Sequence, residues 1–174
     1  MSELTLCPDD NRGGYLLEAT CRIARPLDEV FAFFADAYNL ERLTPDWVKF
    51  QVLTPRPIAM HEGQLIDYRL RIRGMPMRWR SKITCWEPGV RFVDEQLRGP
   101  YAWWRHEHTF AEDGEEVVVG DRVHYGVPLG RLAVGRLINR VLVGPDVRRI
   151  FEYRQSQLRS IFDVANIAAD HATA

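Results

Sequence analysis

Residues 91–110 read RFVDEQLRGPYAWWRHEHTF, and the reading of the whole chain turns on them. Two runs of alternating residues flank Gly99-Pro100, the pattern of strand, turn and strand. The runs carry Asp94, Gln96, His106 and His108 among residues that otherwise bury apolar surface. A polar group on the core side of a sheet is costly unless it is paired or reaches a cavity. The stretch is therefore expected to be one wall of a partly polar internal pocket.

Turn lengths test that expectation. Directly opposed residues of an antiparallel pair lie on one face, so a loop length decides which residues share the core. A three-residue loop at 99–101 opposes Asp94 to His106 and Gln96 to Trp104, whereas a two-residue loop brings Val93 opposite His106. A four-residue loop at 73–76 opposes Leu70 to Trp79 and Tyr68 to Ser81, and a turn centred on Pro88-Gly89 opposes Cys85 to Phe92 and Ile83 to Asp94. An Asp113-Gly114 turn, a strong hairpin signal, opposes His108 to Val119 and His106 to Asp121. With the three-residue loop all faces agree. Ile66, Tyr68, Leu70, Trp79, Ile83, Cys85, Phe92, Trp104, Phe110, Val119 and Tyr125 lie inside. Arg69, Arg71, Arg73, Arg78, Arg80, Lys82, Glu95, Arg105, Glu107 and Arg122 lie outside. By the same parity Trp86 and Trp103 fall outside, where exposed tryptophan can mark a contact surface, so a homodimer is possible.

Upstream, residues 1–14 are polar and read as a flexible lead, and 15–24 alternate as a half-buried strand. Pro26 opens a helix with Asp28 and Glu29 in its first turn. A second short helix fits 39–43, a strand fits 47–53, and a loop holding Pro55, Pro57 and Gly63 follows. After Pro128 the period becomes helical. Leu132, Leu137, Ile138, Val141 and Leu142 form one apolar stripe, and Val147, Ile150, Phe151, Leu158, Ile161 and Phe162 a second. Gly144-Pro145 is expected to kink the helix between them. Residues 15–165 read as one domain and 166–174 as a frayed tail.

Bulk properties exclude several classes. A chain of 174 residues suits one domain with a real core. A net charge of −1 gives no whole-protein attraction to nucleic acid or to an anionic membrane. Cys7, Cys21 and Cys85 are odd in number and widely spaced, which disfavours a disulfide framework and points to the cytoplasm. No apolar run reaches the ~20 residues of a membrane span. Phosphate loops, GxSxG and HExxH are missing.

The order of strand, two short helices, a run of antiparallel strands and a long last helix resembles the START/Bet v 1-like (SRPBCC) superfamily, which includes polyketide cyclase/dehydrase-like proteins. The carriers are RPLDEVFAFFAD at 25–36, the stretch quoted first, and VHYGVPLG at 123–130. The resemblance implies an α+β helix-grip fold, a curved antiparallel sheet of about seven strands wrapped on the C-terminal helix. It also implies a cavity between the two for an apolar or amphipathic small molecule. No strict catalytic signature spans the superfamily, so the fold says little about a reaction.

The candidate ligand-contacting residues are Tyr68, Trp79, Asp94, Gln96, Trp104, His106, His108, Asp121 and Tyr125. Asp94, His106 and Asp121 are expected side by side on adjacent strands, where flanking carboxylates should favour the charged imidazole. The bland reading is a polar cluster that satisfies itself inside the sheet. The functional one is a ligand-reading end of the pocket. An enzyme alternative resembles the cyclases and dehydratases, with His106 as the candidate acid/base. A third reading is an interaction domain using the outer Trp/Arg face. His106 and His108 could also present two imidazoles to one metal, with a nearby carboxylate as third ligand. His124 falls on the other face and His61 in a loop, so neither metal nor cofactor is expected.

Overall fold

The computed structural model describes residues 3–9, 13–130 and 132–172, with side chains placed through residue 163. Among these residues one antiparallel sheet contains β1 (Glu3–Asp9), β2 (Gly14–Ile23), β3 (Gln51–Val52), β4 (Leu65–Ile72), β5 (Met75–Glu87), β6 (Arg91–Arg98), β7 (Trp103–Asp113) and β8 (Glu116–Gly126). Their spatial order is β1-β2-β8-β7-β6-β5-β4-β3. Helices α1 (Leu27–Ala35) and α2 (Asn39–Arg42) follow β2; α3 (Ala133–Ile138), a π turn (Asn139–Val143) and α4 (Gly144–Ala172) follow β8. This is the expected α+β helix-grip arrangement with one more strand.

The extra strand is β1, drawn from the segment expected to be a flexible lead. Leu4 and Leu6 alternate with polar residues and pack against the cluster around Leu17, Val123 and Phe151, so the segment pairs along β2 with Leu6 opposite Leu17. The rest of that lead, apart from Gly13 and Gly14, lies outside the described residues. At the other end α4 runs to Ala172, past the expected fraying point at 166, and residues 173–174 lie outside the described residues. The strand expected over 47–53 shrinks to β3, because a 3₁₀ turn at Asp46–Val48 and a left-handed Lys49 (φ 48°) come first.

The hairpins correct the register without changing the faces. β4 and β5 join through a two-residue turn, Arg73-Gly74, both at positive φ (50° and 82°), so Ile72 opposes Met75 and Tyr68 opposes Trp79. This is the doubly left-handed turn that matches strand twist. Arg73 also reaches Asp146 at the start of α4 through two hydrogen bonds of 2.9 and 3.1 Å, placing it at the hairpin tip rather than on the outer face. The β7–β8 turn is Gly114-Glu115, with Gly114 at φ 67°, which opposes His108 to Asp121 and His106 to Val123. Both slips are two residues, so each side chain keeps its face. The critical β6–β7 pairing of Asp94 with His106 is as expected.

A bulge does change faces between β5 and β6. The pairing shifts between Ile83 and Cys85, bringing Cys85 opposite Val93 and Trp86 opposite Phe92. Cys85 turns out toward Glu87, and Trp86 turns in to pack, ring tilted, against Phe31 at 5.3 Å. Trp103 stays outside but lies over the glycines at 14 and 126, where a Cβ would meet its indole within 3 Å. The outer arginines are largely paired across strands, as in Arg80–Asp67 at 2.7 Å and Arg122–Glu18 at 2.8 Å.

Of the two C-terminal stripes only the second packs. Val147, Phe151, Leu158 and Phe162 are buried against β2, β7 and β8, each contributing ~1.5–3 kcal/mol. The first is turned outward, with Leu132, Leu137 and Val141 all more than half exposed. The sheet side of that segment is Gly135, Asn139 and Gly144 instead. A Cβ on Gly135 would meet the Leu129 carbonyl oxygen, so close approach to the preceding turn selects the smooth face. The widened turn at 139–143, where the Gly144 N–H donates to the Asn139 carbonyl, absorbs Pro145 without a break. Among the described residues no helix is long and apolar enough to cross a membrane.

Candidate functional site

α4 touches the sheet mainly over β1 and β2, and α1 packs on β7. The concave face over β4 to β6 is left between α4, α1, α2 and the loop at 53–64. There the structure holds a pocket of about 170 Å³. Its apolar wall includes Phe34, Leu40, Ile66, Trp79, Trp104 and Phe151, and its polar end is Asp94, His106, His108 and Arg154.

Strand alternation aims the polar end inward: His106 and His108 are two apart on β7, Asp94 opposes His106 from β6, and Asp121 opposes His108 from β8. One oxygen of Asp121, Oδ1, lies 2.9 Å from His106 Nε2 and 3.0 Å from His108 Nδ1. Its Oδ2 accepts from Arg154 Nε at 3.3 Å. Arg154 Nη2 lies 3.4 Å from His108 Nδ1 as well. A guanidinium only donates, so His108 Nδ1 accepts from Arg154 and the ring proton sits on Nε2. His106 donates to Asp121 through Nε2 and turns Nδ1 to the pocket, whereas His108 turns its Nε2–H to the pocket. Those pocket-facing atoms, His106 Nδ1 and His108 Nε2, lie 3.7 and 3.6 Å from Asp94 Oδ2. The other Asp94 oxygen accepts from Ser81 Oγ at 3.1 Å, and Ser81 accepts from Trp79 Nε1 at 2.9 Å. His108 stacks on Phe92 at 4.2 Å, which fixes the ring plane.

Burial and the neighbouring His108 lower the His106 pKa to about 4, against the hydrogen bond to Asp121 and the charge of Asp94. The expected charging of His106 by its flanking carboxylates is therefore corrected. Desolvation of a fully enclosed ring outweighs the carboxylates, one of which is already engaged by Arg154. Burial pushes Asp121 upward, but the Arg154 charge and the two imidazoles hold it well below the usual carboxylate range. Asp94 is lowered too: burial opposes this, while His108, His106 and Ser81 prevail.

Of the nine candidates, Tyr68, Trp79, Asp94, Trp104, His106 and His108 line the pocket. Asp121 stands behind the histidines. Gln96 is turned to the 99–101 loop, donating to the Tyr101 carbonyl at 2.9 Å. Tyr125 is fully buried behind Trp104 and donates to Asn139 Oδ1 at 3.1 Å. Two members of the polar network around Asp94 and Asp121 were missed. Arg154 falls between Phe151 and Leu158 on the buried stripe, a helical spacing that could have revealed it. Ser81 stands between Trp79 and Ile83 on the inner face of β5.

The model of the family described as "Polyketide cyclase / dehydrase and lipid transport" matches residues 23–144. No curated protein matches. Among solved structures, protein Ms6760 from Mycobacterium smegmatis superposes with a TM-score of 0.67 at 14% identity, covering 94% of this chain and 99% of that one. A START superfamily protein from Mycobacterium smegmatis gives 0.60 at 12% identity, with 85% and 99% covered. A protein from Arthrobacter aurescens gives 0.66 at 11%, with 90% and 91% covered. At these identities the likeness is one of fold.

Proposed function

The chain belongs to the polyketide cyclase/dehydrase and lipid transport family, and on that premise we propose that it binds an apolar or amphipathic small molecule between sheet and C-terminal helix. One observation carries the reading: a mostly apolar pocket ends on buried polar atoms aimed into it. Small-molecule sites have this composition. The volume of about 170 Å³ suits a ligand of one or two rings. The polar end also sets the chemistry it accepts. Asp94 Oδ2 and His106 Nδ1 offer lone pairs beside the His108 Nε2–H, so together they favour a group that both donates and accepts, such as a hydroxyl or phenol, over a carboxylate. Met60 of the loop and Val147 and Ile150 of α4 border the pocket, which supports access between that loop and the start of α4.

Calorimetry of chelator-treated protein with 1-naphthol and 1-naphthoate tests this. One-to-one binding of the naphthol, at least ~10-fold tighter than the naphthoate, is expected from the cost of an unpaired buried anion. No binding of either compound, or equal binding of both, would overturn it. A second reading rests on His106, whose uncharged Nδ1 facing the pocket can take a proton from a bound carbonyl substrate. Native mass spectrometry of gently purified protein separates the two. A binder retains one unaltered molecule, whereas an enzyme releases a changed one and loses rate more than affinity on His106→Gln.

A further inference from the structure

We infer that Asp94 Oδ2, His106 Nδ1 and His108 Nε2 form a three-ligand site for a divalent transition-metal ion, with its open positions on the pocket. The three atoms come from adjacent strands and lie within 4.8 Å of one another. The two nitrogen-to-oxygen separations are 3.7 and 3.6 Å. An ion ~2.0–2.2 Å from each donor holds neighbouring donors roughly 3.0–3.5 Å apart, so small side-chain rotations close the set.

The inference stands on what surrounds those atoms. Asp94 Oδ2 and His106 Nδ1 are two acceptors 3.7 Å apart, and the His108 Nε2–H, 3.6 Å from Asp94 Oδ2, is too distant for a full hydrogen bond. Such a buried group is under-satisfied until a cation replaces that proton. The outer contacts support the exchange. Asp121 accepts from His106 Nε2 and Arg154 donates to His108 Nδ1, so both rings are held from behind with His106 Nδ1 and His108 Nε2 toward the pocket. Ser81, itself held by Trp79, takes the Asp94 oxygen that faces away. Arg154 balances Asp121, so the carboxylate that remains for an ion is Asp94. Two imidazoles and one carboxylate select a first-row transition ion such as zinc or ferrous iron over calcium or magnesium, which take oxygen ligands. A pocket ligand's oxygen could complete the coordination. The site is independent of which organic molecule fills the pocket.

The test is titration of chelator-treated protein with Zn²⁺ by calorimetry and with Co²⁺ by visible absorption, no organic ligand being added. One ion per chain is expected, with a Kd of about 1 µM or tighter and a Co²⁺ band that saturates at one equivalent. Asp94→Asn and His108→Gln, chosen to keep shape and with folding checked by circular dichroism, should each weaken Zn²⁺ at least ~10-fold. His61→Gln should leave it unchanged. No binding at millimolar metal would overturn the assignment. So would binding that survives both substitutions and disappears with His61→Gln. Naphthol binding to the metal-free protein fails or succeeds separately, so the two ideas can be told apart.

Discussion

Arg154 shows most clearly how a single side chain organises the interior. Its side chain is 5% exposed, and it is the cation that lets Asp121 stay ionised while accepting from His106. Removing one member of a buried pair leaves an uncompensated charge. Arg154→Met should therefore cost about 3–5 kcal/mol in urea unfolding, whereas a loss below ~1 kcal/mol would mean the pair is solvated. His106 gives a second expectation, for metal-free protein. Its folded pKa of about 4 lies below the ordinary 6.5, so between those values the unfolded chain binds a proton the folded chain does not. Stability rises with pH in that window. The contribution is fully present above pH 6.5 and is lost as pH falls toward 4, on the order of 3 kcal/mol in all. Thermal midpoints of chelator-treated protein should fall across this range, and His106→Gln should flatten the slope. The inward aim of His106 and His108 was legible in the sequence because parity alone decides it. The tautomer of His108 and the neutral state of His106 were not: the first depends on Arg154, whose helical phase had to be noticed amid a strongly apolar stripe, and the second on how deeply the His106 ring is buried.

At the scale of elements, the hairpins separate what sequence pattern fixes from what turn geometry fixes. A two-residue slip in β4–β5 and in β7–β8 left the inner and outer sets intact, because a strand repeats every two residues. The bulge before Cys85 broke parity, and with it the placement of Trp86, since a single extra residue leaves no mark in an alternation that is already irregular. The outer-tryptophan surface that motivated an interaction domain is accordingly reduced to Trp103, which covers two glycines. The first C-terminal stripe misled for a related reason: apolar side chains signalled burial, but backbone contact through Gly135 selected the opposite face. Gly135→Ala would drive a Cβ onto the Leu129 carbonyl, where backbone must move. A loss of about 1–3 kcal/mol is expected from denaturant unfolding, and an unchanged midpoint would show that α3 can lift away freely.

For the molecule as a whole, the sheet and α4 are packed where they meet and held apart where they do not. Leu158 and Phe162 close one end against Val119 and Phe110. Tyr68, Ile66 and Ile83 form a separate cluster at the other edge, beneath α2 and the loop. The pocket lies between these clusters, and its polar end coincides with the strands read first in the sequence. The most direct test follows the two buried imidazoles by ¹⁵N-histidine NMR while 1-naphthol is added to chelator-treated protein. The signals of His106 Nδ1 and His108 Nε2 should shift together and saturate at one equivalent, with His61 and His124 unmoved. Shifts confined to His61 or His124, or no shift at saturating naphthol, would contradict a ligand seated against Asp94, His106 and His108.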